Sequence, residues 1–557
     1  MRNVFYLFDT NKRNQLNAAG QDYTPAYIRA LLKYMGISGT ACAPEALGML
    51  GKDDVLLIGA ESIDAVPDGP GAVIMLGTRI GAPLTPAAKR PHICGWYPVK
   101  ESNSKTTVLL PLFAPVEEPQ AGTTEVLTTG YTGEVRPEGK PKEPLLVKRG
   151  DNVWHFLFDL PASVWYSGDG DPLGAPVFEF PIGRTPDTRP VPADYDTTIP
   201  YNDLLVGELE RILDKLEVPS LYKLPPAADG GVPDLALHIS GDDDHASAEL
   251  DLRAAQVARA IGLPYHINVM SAGGKFVIDR EQLAKLRELG TEVALHSNFL
   301  EYPYTAEGQK QMADIFTEEL GLAPVTNVNH CLVQGGPSAE RMRWLAFSGI
   351  VADNGKFCER DLTDINAFDL MGFGFGTSFP RYTCDDAAHG NEMLTAFEIP
   401  LTYYEPRCSG EEGSGEKITK YIDAAAAHGR IAQFFIHPHY LHPDDPRSEL
   451  STAALRLAKK HWTDKGYTPL LTTTNRLALF WQSRARAVLT SKAPGLVVET
   501  ACPLLVNIPG PARSVLLDGE KVKLTEKTVA GRKLRLLEVK EGRHIITNGK
   551  GKKAKGK

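Results

Sequence analysis

The chain has no basic surplus: 60 lysines and arginines stand against 69 aspartates and glutamates, a formal charge of −9 over 557 residues. A protein that neutralises a phosphate backbone needs the opposite imbalance, so nucleic acid is not an expected partner. Long apolar runs are also missing. No stretch approaches the roughly 20 apolar residues that cross a bilayer, and no membrane partner is expected. The start, Met1-Arg2-Asn3-Val4-Phe5-Tyr6-Leu7-Phe8-Asp9, is too short and too early-charged for a secretory signal, so with Met1 as the native start the expected location is the cytoplasm. The seven cysteines are scattered and never spaced Cys-x-x-Cys, which excludes a disulfide framework and a Cys-rich zinc site. No segment repeats in a way that would build a solenoid. The Gly- and Lys-dominated tail, 549–557, is too polar to fold and is expected to be disordered.

A chain of this length exceeds one compact core, and several domains are expected. Residues 1–183 alternate strand and helix, with buried strands at 55–59 and 72–77 and a helix at 25–35 stopped by Gly36. That pattern predicts an α/β domain with a parallel sheet. Residues 184–229 read as a linker rich in Pro, Asp and Thr with one helix. Residues 230–487 settle into about seven strand–helix units, predicting a distorted (β/α) barrel. A long excursion, 353–415, interrupts their rhythm. Residues 488–548 turn to short alternating strands, with Asp518-Gly519 as a hairpin turn, and predict a small β-sandwich.

The chemistry gathers where the barrel strands end. Leu235-Ala236-Leu237-His238-Ile239 is a buried strand, and Ser240-Gly241-Asp242-Asp243-Asp244-His245 follows it directly. Adjacent carboxylates at a buried strand end lose hydration and repel one another, so a cation is a natural compensator; a solvated, helix-capping turn is the plainer reading. Further round, His296, His330, Asp353, His437 and His439 also fall at predicted strand ends. Ligands bind at this rim of parallel barrels, and Asp/His sets suit zinc. A lone strand-end histidine is more often structural, but several independent ones converge here.

With these residues on the page, the central domain resembles the polysaccharide deacetylases of the NodB-homology, carbohydrate esterase family 4 type. Ser240-Gly241-Asp242-Asp243 is similar to that family's Thr-Phe-Asp-Asp motif, His296-Ser297 to the start of its His-Ser/Thr-x-x-His motif, and Ile436-His437-Pro438 to its closing strand. The resemblance implies Asp242 as base, His437 as general acid, and a divalent metal, zinc by expectation, held by Asp243 and His296. Leu300 stands where the family has its second histidine, and the Arg-x-Pro-Tyr motif is missing; His330 is the expected substitute ligand. Asp244 is the alternative to Asp243, and His439 to His437. Asn298 and His245 are weaker candidates, Asp353 pairs with an arginine or meets substrate, and Arg381, in the Gly-rich stretch 371–382, is available to sugar rings.

The implied activity is removal of acetate from an N-acetylated sugar or glycan. The alternatives are an allantoinase-like hydrolase of a small amide or ureide, and a non-catalytic glycan-binding scaffold. The N-terminal domain resembles glutamine amidotransferase and ThuA-like domains in layout. Thr78-Arg79 stands where such folds keep a cysteine nucleophile, so this domain is expected to be non-catalytic, closing the cleft or mediating self-association into a homo-oligomer.

Overall fold

The computed structural model describes residues 1–82, 92–100, 107–119, 122–169, 198–228, 230–244, 247–332, 338–355, 369–373 and 376–548. His245, the stretch 184–197 of the expected linker, Gly374 and Phe375, and the tail lie outside these. The fold is mixed α/β. Near the N-terminus, the strands Gly39–Cys42, Asn3–Leu7, Asp54–Ile58, Ala72–Leu76 and Val153–Phe156 lie parallel in that order, and four antiparallel neighbours extend the sheet to nine strands. The buried runs 55–58 and 72–76 are apolar at every position because both faces of this parallel region are covered. Helix Tyr27–Met35 covers one face and stops at Gly36, which takes the left-handed conformation (φ 71°) that ends the helix.

Along the main path of the central sheet lie eight parallel strands, besides Pro469–Leu471, which pairs parallel with residues 235–237 off that path. In chain order the eight are β1 (Leu235–Asp242), β2 (Tyr265–Ala272), β3 (Glu292–Ser297), β4 (Thr326–Asn329), β5 (Ala352–Asp353), β6 (Met393–Glu398), β7 (Tyr403–Tyr404) and β8 (Ile431–Phe435). In space they run β7-β8-β1-β2-β3-β4-β5-β6. The expected barrel does not close: among the described residues no pairing joins β6 to β7, which are successive in the chain. Instead Arg381–Cys384 pairs antiparallel outside β6, and Leu370–Met371 outside β7. Helices supply the outer layer; that over Arg280–Glu288 is fixed by a capping box between Asp279 and Gln282.

The C-terminal strands divide between two antiparallel sheets. One is five-stranded; the other is four-stranded and includes Ser220–Leu221 from the region expected to be a linker. Asp518 and Gly519, at φ 51° and 90°, make the tight turn between Ser514–Leu517 and Glu520–Lys523.

Candidate metal centre

Strand β1 carries the first part of the site. Side chains of an extended chain alternate, so Asp242 and Asp244 project to one side and Asp243 to the other. Asp244 sits at φ 40°, a left-handed turn that ends the strand. Asp243, the expected metal ligand, is thereby turned away from Asp242 and Asp244. Its Oδ1 accepts the Met270 backbone N–H at 2.9 Å, and it shares its surroundings with buried Asp251. Burial raises its pKa well above the carboxylate range, and the Asp251 charge adds to the rise.

Asp244 instead meets three imidazoles. His296 Nε2, on β3, is 3.2 Å from its Oδ1, and His330 Nε2, just after β4, is 3.8 Å from the same oxygen. His437 Nε2, two residues beyond β8, is 3.2 Å from Oδ2. One ligand atom each from Asp244, His296 and His330 falls within 4.8 Å of the others, and the same holds for Asp242, Asp244 and His437. The neighbouring positions of β8, β1, β3 and β4 in the sheet bring these residues to one rim.

The hydrogen bonds behind the cluster set its protonation. His296 Nδ1 donates to the Val328 carbonyl at 3.1 Å, which orients the ring with Nε2 on Asp244 Oδ1; Nε2 donates there, and although burial opposes charge on the ring, Asp242 and Asp244 raise its pKa. Asn268 Nδ2 donates to Asp242 Oδ1 at 2.8 Å, with the other carboxylate oxygen 3.5 Å from His296. Burial pushes the Asp242 pKa up to about 6; His296 opposes the rise, and the Asp244 charge adds to it. Around Asp244 the imidazoles outweigh burial and hold the carboxyl far below its usual range.

Glu405 is the residue the sequence reading missed. It is fully buried, directly follows β7, and takes a left-handed backbone (φ 46°). Its Oε1 accepts both the His437 backbone N–H (3.1 Å) and Nδ1–H (2.6 Å). Burial opposes charge on His437, but hydrogen bonds with Asp244 and Glu405 prevail and hold its pKa well above that of a free histidine. Nothing periodic announces Glu405, because β7 is two residues long.

Of the other candidates, His439 lies beside the cluster, its ring 5.4 Å from that of His437, whereas Asn298, Asp353 and Arg381 are engaged elsewhere. His439 packs its ring 3.9 Å from that of Tyr440, and burial lowers its pKa to about 4. Asn298 is spent on the chain turn, accepting the Leu300 N–H and donating to the Ser271 carbonyl. Asp353 is buried against Arg341 at 2.5 Å and accepts from Asn327 at 2.9 Å, so its arginine partner is found and its charge is used inside the sheet. Arg381 is buried, its Nη2 donating to the Trp165 carbonyl at 2.9 Å. Leu300 is 44% exposed and offers no ligand atom. In the N-terminal sheet, Thr78 donates its hydroxyl to the carbonyls of Ile58 and Gly59 and is buried at the strand end.

No family model matches the chain, and no curated protein matches it. Solved structures do. A Mycobacterium smegmatis protein assigned as a polysaccharide deacetylase is 10% identical, with TM-score 0.32 over 48% of this chain and 96% of its own. A family 4 acetyl xylan esterase from Clostridium thermocellum, in complex with a cobalt ion, is 11% identical, with TM-score 0.25 over 44% and 91%. The chitin deacetylase of the fungal pathogen Colletotrichum lindemuthianum is 12% identical, with TM-score 0.26 over 46% and 90%. The solved structures to which this chain is similar are thus polysaccharide deacetylases and family 4 carbohydrate esterases, over a little under half of its length.

Proposed function

We propose that this chain is a divalent-metal-dependent hydrolase that removes the acetyl group from an N-acetylated sugar or glycan. One observation carries the reading: Asp244, His296 and His330 converge from separate strand ends to within 4.8 Å, flanked by Asp242 and by His437. The donor set fits a metal. Two imidazole nitrogens and one carboxylate oxygen make the three-ligand set that leaves a catalytic zinc one open position, and His296 already has its other nitrogen fixed by a main-chain carbonyl. When bound, such an ion polarises the amide carbonyl and makes water acidic enough to ionise near neutral pH.

The chain's own groups do the rest. Asp242, with a pKa near 6, is mostly ionised at neutral pH yet basic enough to accept the proton of the attacking water. Asn268 holds one of its oxygens and so aims the other. As the water oxygen bonds to the acetyl carbon, the carbonyl electron pair moves onto its oxygen. His437, kept charged by Glu405 and Asp244, gives its Nε2 proton to the amide nitrogen as the C–N bond breaks. Acetate and a free amino sugar leave.

The test combines metal content with turnover. Protein purified without chelators is expected to carry about one ion per chain and to release acetate from N-acetylglucosamine or N-acetylgalactosamine oligomers. His296→Ala, His330→Ala and Asp244→Asn are each expected to lose the metal and the activity. Wild type without a stoichiometric ion would overturn the reading, as would turnover of ureides with no acetate release from sugars. Full metal retention in His330→Ala would overturn that ligand alone.

A further inference from the structure

The face of the central sheet that its helices cover is apolar almost to the strand ends. Side chains of a strand alternate, and Leu237 and Ile239 of β1 and Ile267 and Val269 of β2 share one buried core with Ala254 and Ala258 of helix Ala248–Ile261. Each of these three rows ends on a polar residue. Asp243 continues the β1 row beyond Gly241, and Ser271 continues the β2 row. Asp251 continues the helix stripe at the spacing of Ala254 and Ala258. The helix starts just after β1 and runs back over the sheet, so its first turn, which carries Asp251, stands at the end of the strands. There the Met270 backbone N–H, directly before Ser271, donates to Asp243 Oδ1 at 2.9 Å and ties the ends of β1 and β2 together.

These polar groups are buried without partners. Asp243 and Ser271 are each 1% exposed and Asp251 is 0% exposed. Asp243 Oδ2, both carboxylate oxygens of Asp251 and the Ser271 hydroxyl make no hydrogen bond. Buried polar oxygens are ordinarily satisfied, and a buried carboxylate is ordinarily met by a cation. Burial lifts the Asp251 pKa to about 7, with no cationic side chain to oppose it. A proton shared between the two carboxylates is the simplest alternative. It would draw one oxygen of each into a hydrogen bond of about 2.5–2.7 Å, and Asp243 and Asp251 make none with each other.

We propose that Asp243 and Asp251, with the Ser271 hydroxyl, hold a second cation, an oxygen-preferring divalent ion of the calcium and magnesium class, separate from the ion at Asp244, His296 and His330. Two carboxylates balance its charge. The donor set is all oxygen, which suits calcium or magnesium, whereas the imidazoles of the rim suit zinc. The ion joins the ends of β1 and β2 to the first turn of the helix, directly behind the point where β1 turns into Asp244. It is a structural ion that meets no substrate, so it stands or falls apart from the deacetylase reading.

Metal analysis of the full chain, purified without chelators, is expected to find about one calcium or magnesium per chain in addition to the ion at the rim. Asp251→Asn keeps the shape and removes one charge; it is expected to lose this second ion and keep the first, and His296→Ala to do the reverse. After dialysis against a chelator, millimolar calcium or magnesium chloride is expected to raise the thermal midpoint of wild type and of His296→Ala by several degrees, because the ion binds the folded chain alone. The midpoint of Asp251→Asn is expected not to respond. Ser271→Ala, which removes one oxygen without changing charge, is expected to need roughly 10-fold more calcium for the same shift, and it carries the test if Asp251→Asn does not fold. Wild type with no calcium or magnesium and no midpoint response to either salt overturns the assignment, and the two carboxylates then share a proton. An equal salt response in wild type and in both Asp251→Asn and Ser271→Ala overturns it as well. Either result leaves the deacetylase reading standing, since acetate release tests that separately.

Discussion

Glu405 shows how much of the candidate site depends on a fully buried side chain behind it. Its carboxylate lies 2.6 Å from His437 Nδ1, and that bond, with the one from Asp244, keeps the imidazole charged against burial. Replacing it by glutamine keeps the shape and an acceptor but removes the negative charge. The charged form of His437 then loses support, so its pKa falls, and the high-pH limb of the rate profile, where this proposed general acid deprotonates, moves to lower pH. A displacement of about one pH unit is expected for Glu405→Gln, with the loss in kcat approaching roughly 10-fold only on the alkaline side of that limb. A pH–rate profile checks this, and an unmoved limb would mean that Glu405 only packs. The sequence shows Asp242, His296, His330 and His437 because each stands at the end of a recognisable apolar strand. It conceals Glu405, which follows a strand too short to have a period, and the simple alternation of an extended chain would have favoured Asp244 over Asp243 as the partner of Asp242 on one face.

Strands β1 and β8 bring Asp242 and His437, the proposed base and acid, together because their ends lie close, and Gly241 permits it. A Cβ added there would stand 1.9 Å from the Ile436 carbonyl oxygen and 2.6 Å from the Tyr265 hydroxyl, and that same hydroxyl donates to Ile436 at 2.6 Å. The carbonyl is backbone and cannot turn aside. Gly241→Ala should therefore wedge the strand ends apart, moving His437 away from Asp242 and Asp244. The expected cost is about 1–3 kcal/mol of stability, with a fall of roughly 100-fold in kcat for an ångström of displacement. Thermal melting and steady-state rates on the same preparation check both, and a variant as active as wild type would show that the two strands are not held at a fixed distance. The repeating strand–helix pattern made this parallel sheet legible in the sequence, and apolar runs such as 235–239 and 431–436 placed its strands well. Closure was not legible. Whether an eighth strand seals a barrel depends on pairing between β6 and β7, and strands of two residues such as β7 carry too few side chains to signal it.

Arg484 joins parts of the chain that the sequence alone would separate. It lies on the helix Thr474–Arg486, which follows the strand–helix units of the central region, and its side chain is 2% exposed. The guanidinium donates to four main-chain carbonyls: Lys33 and Tyr34, at the end of the N-terminal helix, and Leu221 and Tyr222, beside the strand that pairs into a C-terminal sheet. It also lies 4.5 Å from the centre of the Trp481 ring, and Gly36 has no side chain because a Cβ there would come within 2.3 Å of it. Burial lowers the arginine pKa only to about 10, so the cation persists at neutral pH. Three stretches remote in sequence are thus tied by one charged group, which predicts that they unfold together. Arg484→Met fills much of the volume but leaves up to three buried carbonyls, those of Tyr34, Leu221 and Tyr222, without a donor, each costing about 1–3 kcal/mol unless water reaches it, while the Lys33 carbonyl keeps the Gly36 N–H. Wild type is expected to melt in one calorimetric transition, and Arg484→Met in a lower, broadened or split one, with the N-terminal part released first. A single sharp transition at the wild-type temperature in Arg484→Met would mean that the apolar contacts between these parts suffice without the clasp.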